Sequence, residues 1–192
     1  LSLSEETVKG FVEYVHPNFA YSDRNLSTSL ESTVTDRLTA YGYKSSLNRV
    51  SLGTSYEQFE NTFFSPNLSI SSETLDTTST ASAAYRKQEG SYFDTTFGYG
   101  LNYDKRNSAF QPTSGFISRW YQQLPLISEN SEIINGYTIT GYKEIIDDMI
   151  VSTGIYSRAV NSLSNDDVRA SKRLYVPSSR LRGFESGKVG PT

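Results

Sequence analysis

The sequence predicts an all-β chain of the antiparallel transmembrane β-barrel kind, with about eight strands in meander order. Three observations lead there. Apolar side chains recur at every second position over long stretches. These stretches exceed the roughly five or six residues usual for strands of soluble sheets. The third is composition: of 192 residues only 36% are hydrophobic and about a quarter are Ser or Thr, yet 13% are aromatic, with 14 Tyr and 10 Phe. A large dry core does not fit those proportions. A surface where rings meet apolar material and phenol hydroxyls meet water does.

Taken in chain order, the first strand is expected at about 6–16. The second sets Leu26, Thr28, Leu30, Ser32 and Val34 against Ser27, Ser29, Glu31 and Thr33, and the third sets Val50, Leu52, Thr54 and Tyr56 against Arg49, Ser51, Gly53, Ser55 and Glu57. The fourth opposes Phe64, Pro66, Leu68 and Ile70 to Ser65, Asn67, Ser69 and Ser71. The clearest is the fifth. Phe93, Thr95, Phe97, Tyr99, Leu101 and Tyr103 form one wall, and Asp94, Thr96, Gly98, Gly100, Asn102 and Asp104 the other. Side chains alternate faces along a strand, so Phe93, Phe97, Tyr99, Leu101 and Tyr103 are expected to face lipid and the polar set a lumen. Further strands are expected at about 116–125, 132–145 and 149–162. A soluble sandwich would explain alternation equally well; strand length favours the barrel.

Connections alternate in character. Short turns are expected at His16 to Asp23, Phe59 to Thr62, Lys105 to Ser114 and Ile146 to Asp148. Longer polar loops are expected at Asp36 to Tyr43, Asp76 to Tyr92 and from Leu163 onward, with Leu124 to Ser131 a shorter loop on the same side. Short turns on one side and long loops on the other is the outer-membrane pattern.

Several chemistries are excluded or disfavoured. Cysteine is absent and there is one His, so thiolate and multi-histidine metal sites cannot form. His16 beside Pro17 reads as a turn or rim residue. Formal net charge is −3 with no basic run, which argues against nucleic acid. Gly98-x-Gly100 precedes no helix, and its glycines read as relief of crowding on an inward face. Asp147-Asp148 and Asp166-Asp167 read as solvated acidic turns. No nucleophile elbow or triad is legible, so no enzyme and no cofactor is expected. No run approaches the roughly 20 apolar residues of a membrane helix, and the N-terminus lacks the layout of a signal peptide.

Two stretches carry more specific information. Asp104-Lys105-Arg106 followed by Phe110-Gln111-Pro112-Thr113-Ser114-Gly115 has the physics of a turn, since Pro fixes φ and Gly accepts a positive one. Leu181-Arg182-Gly183-Phe184, continuing to Val189-Gly190-Pro191, joins a cation, a ring and glycines in one loop. In this order and spacing they resemble the bacterial surface antigen family of outer-membrane insertase barrels, the BamA-type assembly factors. His16-Pro17-Asn18-Phe19 is similar to the family's Asn-Pro-x-Phe turn. Leu181 stands where those factors usually have Val.

The resemblance implies a bacterial outer-membrane location and a sixteen-strand barrel preceded by periplasmic domains. The chain is then a fragment spanning roughly the fourth to the eleventh strand, with 1–163 as partial barrel and 164–192 as most of the sixth extracellular loop. It implies a periplasmic turn at Asp104, Arg106, Pro112 and Gly115. It also implies that Arg182, Gly183, Phe184, Val189, Gly190 and Pro191 fold into the lumen, where Arg182 meets acidic residues on strands beyond this chain. Arg180 reads as incidental. The implied function is folding and insertion of β-barrel proteins without ATP, with unfolded outer-membrane proteins, assembly-complex lipoproteins and outer-membrane lipid as partners. A polypeptide or autotransporter translocase of the same family and a passive porin or transporter barrel are the alternatives.

Overall fold

The computed structural model describes residues 2–3, 6–22, 24–164, 167–174, 176, 180 and 183. They form one antiparallel meander of nine strands in sequence order: β1 (Ser2–Leu3), β2 (Thr7–His16), β3 (Asn25–Arg37), β4 (Tyr43–Phe59), β5 (Thr62–Thr77), β6 (Gly90–Asp104), β7 (Ser114–Ser128), β8 (Glu132–Ile146) and β9 (Met149–Ser162). Eight are long, from 10 residues in β2 to 17 in β4. The ninth is the two-residue β1. Among the described residues β9 pairs only with β8, so the sheet is an open piece of a barrel.

Registers confirm that each strand keeps its two faces. Phe97 stands opposite Leu68 on one side and Leu124 on the other, and Leu101 opposite Phe64 and Trp120. These side chains form an outward wall with Val12, Leu30, Val50, Leu52 and Ile70. All five of the latter are exposed, as are Phe93 and Tyr103. On β6 the outward set from Phe93 to Tyr103 covers ten residue steps, about 33 Å along the strand. At the usual barrel tilt this is about 25 Å of height, the thickness of a barrel's apolar band.

The interior is inverted relative to a soluble protein. Among the described residues the buried apolar set is only Leu75, Ala81, Ile117 and Ala170, whereas Glu73, Gln88, Asp94, Glu132 and Arg169 are buried too. Large hydrophobics outside and charge inside is what a bilayer, rather than water, selects. A polar seam crosses part of the outward wall. The Tyr99 hydroxyl donates to Gln122 Oε1 at 2.8 Å, and Gln122 Nε2 donates to Asn135 Oδ1 at 2.6 Å.

The structure corrects some expected connections. Leu124 to Ser131 is not a loop: β7 runs on to Ser128 and only residues 129–131 turn. Within this stretch Pro125 cannot donate to a ladder. It pairs at Thr96 where the register shifts, and the bulge accommodates the missing N–H. The loop at Asp36 to Tyr43 is likewise shortened to 38–42, with one helical turn, α1 (Leu38–Tyr41). The Asp76 to Tyr92 loop holds a short helix, α2 (Ala83–Lys87), so helical spacing is present where none was expected.

Candidate functional site

Past β9, the described residues 167–174 lie against the inward face as a strap. A short 3-10 turn, Ala170–Lys172, places successive side chains of the strap on different walls. Its centre is Arg169, 2% exposed. The guanidinium Nη2 donates to Asp94 Oδ2 on β6, and Nε and the backbone N–H both donate to Glu132 Oε1 on β8, at 3.3 and 3.2 Å. Nη1 lies 3.7 Å from Glu73 Oε2 on β5 and makes no hydrogen bond. Below, Tyr92 presents its ring 4.9 Å from the guanidinium carbon. Burial opposes the charge of Arg169, but hydrogen bonds to Asp94 and Glu132 outweigh it and raise its pKa above the ordinary arginine value.

Neighbouring strap residues repeat the theme. Lys172 Nζ donates to Asp94 Oδ2 at 3.1 Å and to Glu132 Oε2 at 2.9 Å. Ser171 Oγ donates to Glu73 Oε2 at 3.0 Å, and Ser128 Oγ fixes the other Asp94 oxygen at 2.5 Å. Three carboxylates against two cations make a dense network that ties strands β5, β6 and β8 to one short segment.

The 78–89 loop supplies a clamp. Gln88 follows α2, its carbonyl accepting from the Tyr92 hydroxyl at 2.7 Å. Its side-chain amide then reads the strap backbone: Oε1 accepts from Ala170 N–H at 2.7 Å and Nε2 donates to the Val168 carbonyl at 3.4 Å. Tyr85 of α2 stacks on Tyr43 at 4.4 Å and so anchors the clamp to β4. Beside the strap remains a cavity of about 250 Å3, lined by Thr33, Tyr43, Tyr85, Tyr92 and Arg169 among others.

The strap was not foreseen; the expected anchor was Arg182. Arg182, Phe184, Val189, Gly190 and Pro191 lie outside the described residues. Gly183 is described, with φ +91°, a left-handed conformation that suits glycine. Arg180, expected to be incidental, stacks 3.9 Å over the ring of Tyr156, on the same inward face. The available signal was parity: Glu73, Asp94 and Glu132 are acids that fall on the inward parity of their strands.

The second site is the turn between β6 and β7. Arg106 grips Asp104 through two parallel hydrogen bonds, Nε to Oδ1 at 2.9 Å and Nη2 to Oδ2 at 2.6 Å. Its Nη1 donates to the Ala109 carbonyl at 3.3 Å. Asn107, not singled out beforehand, accepts from the Thr113 and Ser114 N–H groups and donates to Thr113 Oγ1 at 2.8 Å. Pro112 is half-buried in the same turn. Gly115 has φ +92°, and a Cβ there would sit 2.1 Å from the Lys105 carbonyl oxygen, so only glycine fits.

Comparison with known proteins gives this arrangement a context. A family model described as the Omp85 superfamily domain matches residues 1–192. The chain belongs to the Omp85 superfamily. Among solved structures, BamA from Haemophilus ducreyi, crystallised without POTRA domains 1-3, matches with a TM-score of 0.82 at 19% identity. That match covers 97% of this chain and 39% of the other, so the chain spans well under half of the structure it matches. At this identity the likeness establishes a shared fold. No curated protein matches. The Omp85 chain is thus a partial antiparallel β-barrel.

Proposed function

We propose that this Omp85 chain is the middle of an assembly factor's barrel, which folds and inserts other β-barrel proteins into the outer membrane without ATP. The observation that carries the reading is the strap. Arg169 and Lys172 hold a long connection against three strands inside the sheet, and a lumen filled in this way suits a machine that works at its wall better than a conduit. In the family resembled here, the first and last strands form a weak seam whose edge pairs with an incoming strand. Such pairing is favoured because each unpaired backbone group in lipid costs several kcal/mol. The seam strands are outside this chain, and its contribution is a rigid wall. The Arg182-Gly183-Phe184 motif would continue the same packing deeper into the lumen, and the Asp104-Arg106 turn would face the periplasm.

On this reading no step is covalent and no residue is catalytic. Unfolded outer-membrane proteins are the clients, and assembly-complex lipoproteins the partners. The test is reconstitution of the full-length protein in liposomes. An assembly factor accelerates folding of a test barrel and passes little current. A translocase moves an unfolded passenger into the vesicle instead, and a porin conducts ions steadily with no effect on folding. Either of the last two outcomes would replace the proposal.

A further inference from the structure

At the end of the sheet that carries the β2–β3, β4–β5, β6–β7 and β8–β9 turns, the acids of the strands are confined to one face, which also holds Arg106 and Arg119. Glu13, Glu57, Asp104 and Glu144 share the inward face, as their registers require. Glu60, Asp147 and Asp148 sit in the turns. Among the described residues the charged side chains on the outward face at this end are Arg24, Lys105 and Lys143. Each stands beside apolar or aromatic outward residues. Arg24 lies 4.1 Å over the ring of Tyr56, which packs edge-on against Phe64 at 5.9 Å. Lys105 lies 5.9 Å over Tyr103, which packs on Phe116 at 5.6 Å. Lys143 pairs in register with Ser114, one strand over and two residues from Phe116. Phe59 and Ile145 remain exposed at the same level.

A ring at the rim of an apolar band, capped by a cation, is the physical signature of the headgroup layer. The ring sits among glycerol and upper acyl groups, while the cation reaches phosphate. With acids withheld from this face, the layer it meets is selected for negative charge. We infer that Arg24, Lys105 and Lys143 form a collar that binds headgroups of anionic phospholipid in the leaflet on the turn side. Lys105 and Lys143 are separated by two strand spacings, about 10 Å, so they engage neighbouring headgroups across Phe116. The collar rests on the membrane reading, and would hold the barrel at fixed depth on its turn side.

The test uses the full-length protein in detergent, supplied with phosphatidylglycerol or phosphatidylcholine of identical acyl chains, with retained lipid counted by native mass spectrometry. Wild type should prefer phosphatidylglycerol. Arg24→Gln, Lys105→Gln and Lys143→Gln should each lower that preference about fivefold, and high salt should lower it in wild type. Lys44→Gln, at the opposite end of the outward face, should leave it unchanged. The single variants keep the test open if the triple variant fails to fold. Equal retention of both lipids, or full preference in all three variants, overturns the collar alone. Displacement of the lipid by excess inorganic phosphate also overturns it, by showing a site for a soluble anion. A wild-type protein that retains no lipid overturns the membrane reading beneath it.

Discussion

Arg169 and Arg106 perform the same chemistry in different settings. Both bind carboxylates through several donors, and both lie on the inward side. Arg106 takes a partner two residues away, with side-chain exposures of 14% and 25% for the pair. Arg169 takes partners 37 and 75 residues away, and its side chain and that of Glu132 are 2% and 0% exposed. The first pair shapes a turn that its own strands already bring together. The second closes a long connection over the lumen and is enclosed by four separate segments. Sequence distance and burial, not the ion pair itself, decide how much each one organises.

The largest expected effect follows from that difference. Arg169→Ala in the full-length protein would leave Glu132 and Asp94 buried with Lys172 as their only remaining cation among the described residues. Breaking such a pair costs about 3–5 kcal/mol, reduced where lumenal water reaches the carboxylates. The strap should then become protease-sensitive while the barrel still folds. Arg169→Lys should restore part of the protection, since a point charge cannot span both acids. Limited proteolysis combined with insertion activity checks this. Unchanged protection in Arg169→Ala would reduce the strap to a passive surface contact.

The comparison also assumes that the face carrying both arginines tolerates charge and the opposite face does not. Phe97→Arg puts a cation on the outward wall and should cost about 2–4 kcal/mol near the bilayer midplane. Thr96→Arg, one residue away and inward near Asp94, should cost much less. Gly98 is the wrong control, because a Cβ there already meets Asn67 Oδ1 at 2.7 Å. Urea unfolding of the reconstituted protein measures both, and equal costs would argue against a membrane-facing wall.

A smaller effect is expected at the polar seam of the outward wall. Gln122→Leu would strand the Asn135 amide and the Tyr99 hydroxyl in lipid and cost about 1–3 kcal/mol; adding Asn135→Leu should recover part of that, and adding Tyr99→Phe as well should be close to neutral. A double-mutant cycle on unfolding free energy gives the coupling. Additive losses would mean that the two amides act separately.

Much of this architecture was legible beforehand, for a physical reason. Alternation is local, so the outward faces of β3 to β6 could be written down from Leu26 to Tyr103. The Asp104-Lys105-Arg106 turn was legible because its partners are neighbours in sequence. The strap was not. Residues 164–192 hold six basic residues, and nothing nearby distinguishes Arg169 from Arg173 or Arg180. What selects Arg169 is Gln88, which fixes the N–H of Ala170, 82 residues from it, and turns the guanidinium toward acids from three strands. Such a choice is made only when the strands have paired. The stretch from Leu124 expected as a loop shows the converse: Pro125, a local stop signal, is accommodated by a bulge at Leu126 in its own strand.

The smallest effect expected is at Arg106. Its pair with Asp104 is partly exposed, and the hydrogen bonds it donates to Asp104 raise the pKa of Arg106 above the ordinary arginine value, so the cation persists at any workable pH. Removing it by Arg106→Ala should cost about 1–2 kcal/mol, the scale of a charge-assisted hydrogen bond near solvent. Asn107 shares the load, since it holds the Thr113 and Ser114 N–H groups independently. Arg106→Ala should therefore slow folding or lower the unfolding midpoint slightly and leave strap protection untouched. Arg106→Ala combined with Asn107→Ala should lose more than the sum of the two, because Arg106 holds Asp104 and the Ala109 carbonyl while Asn107 holds Thr113 and Ser114, and either alone still closes the turn. If Arg106→Ala alone exposed the strap to protease as Arg169→Ala is expected to, the two arginines would belong to one coupled network rather than to two independent sites.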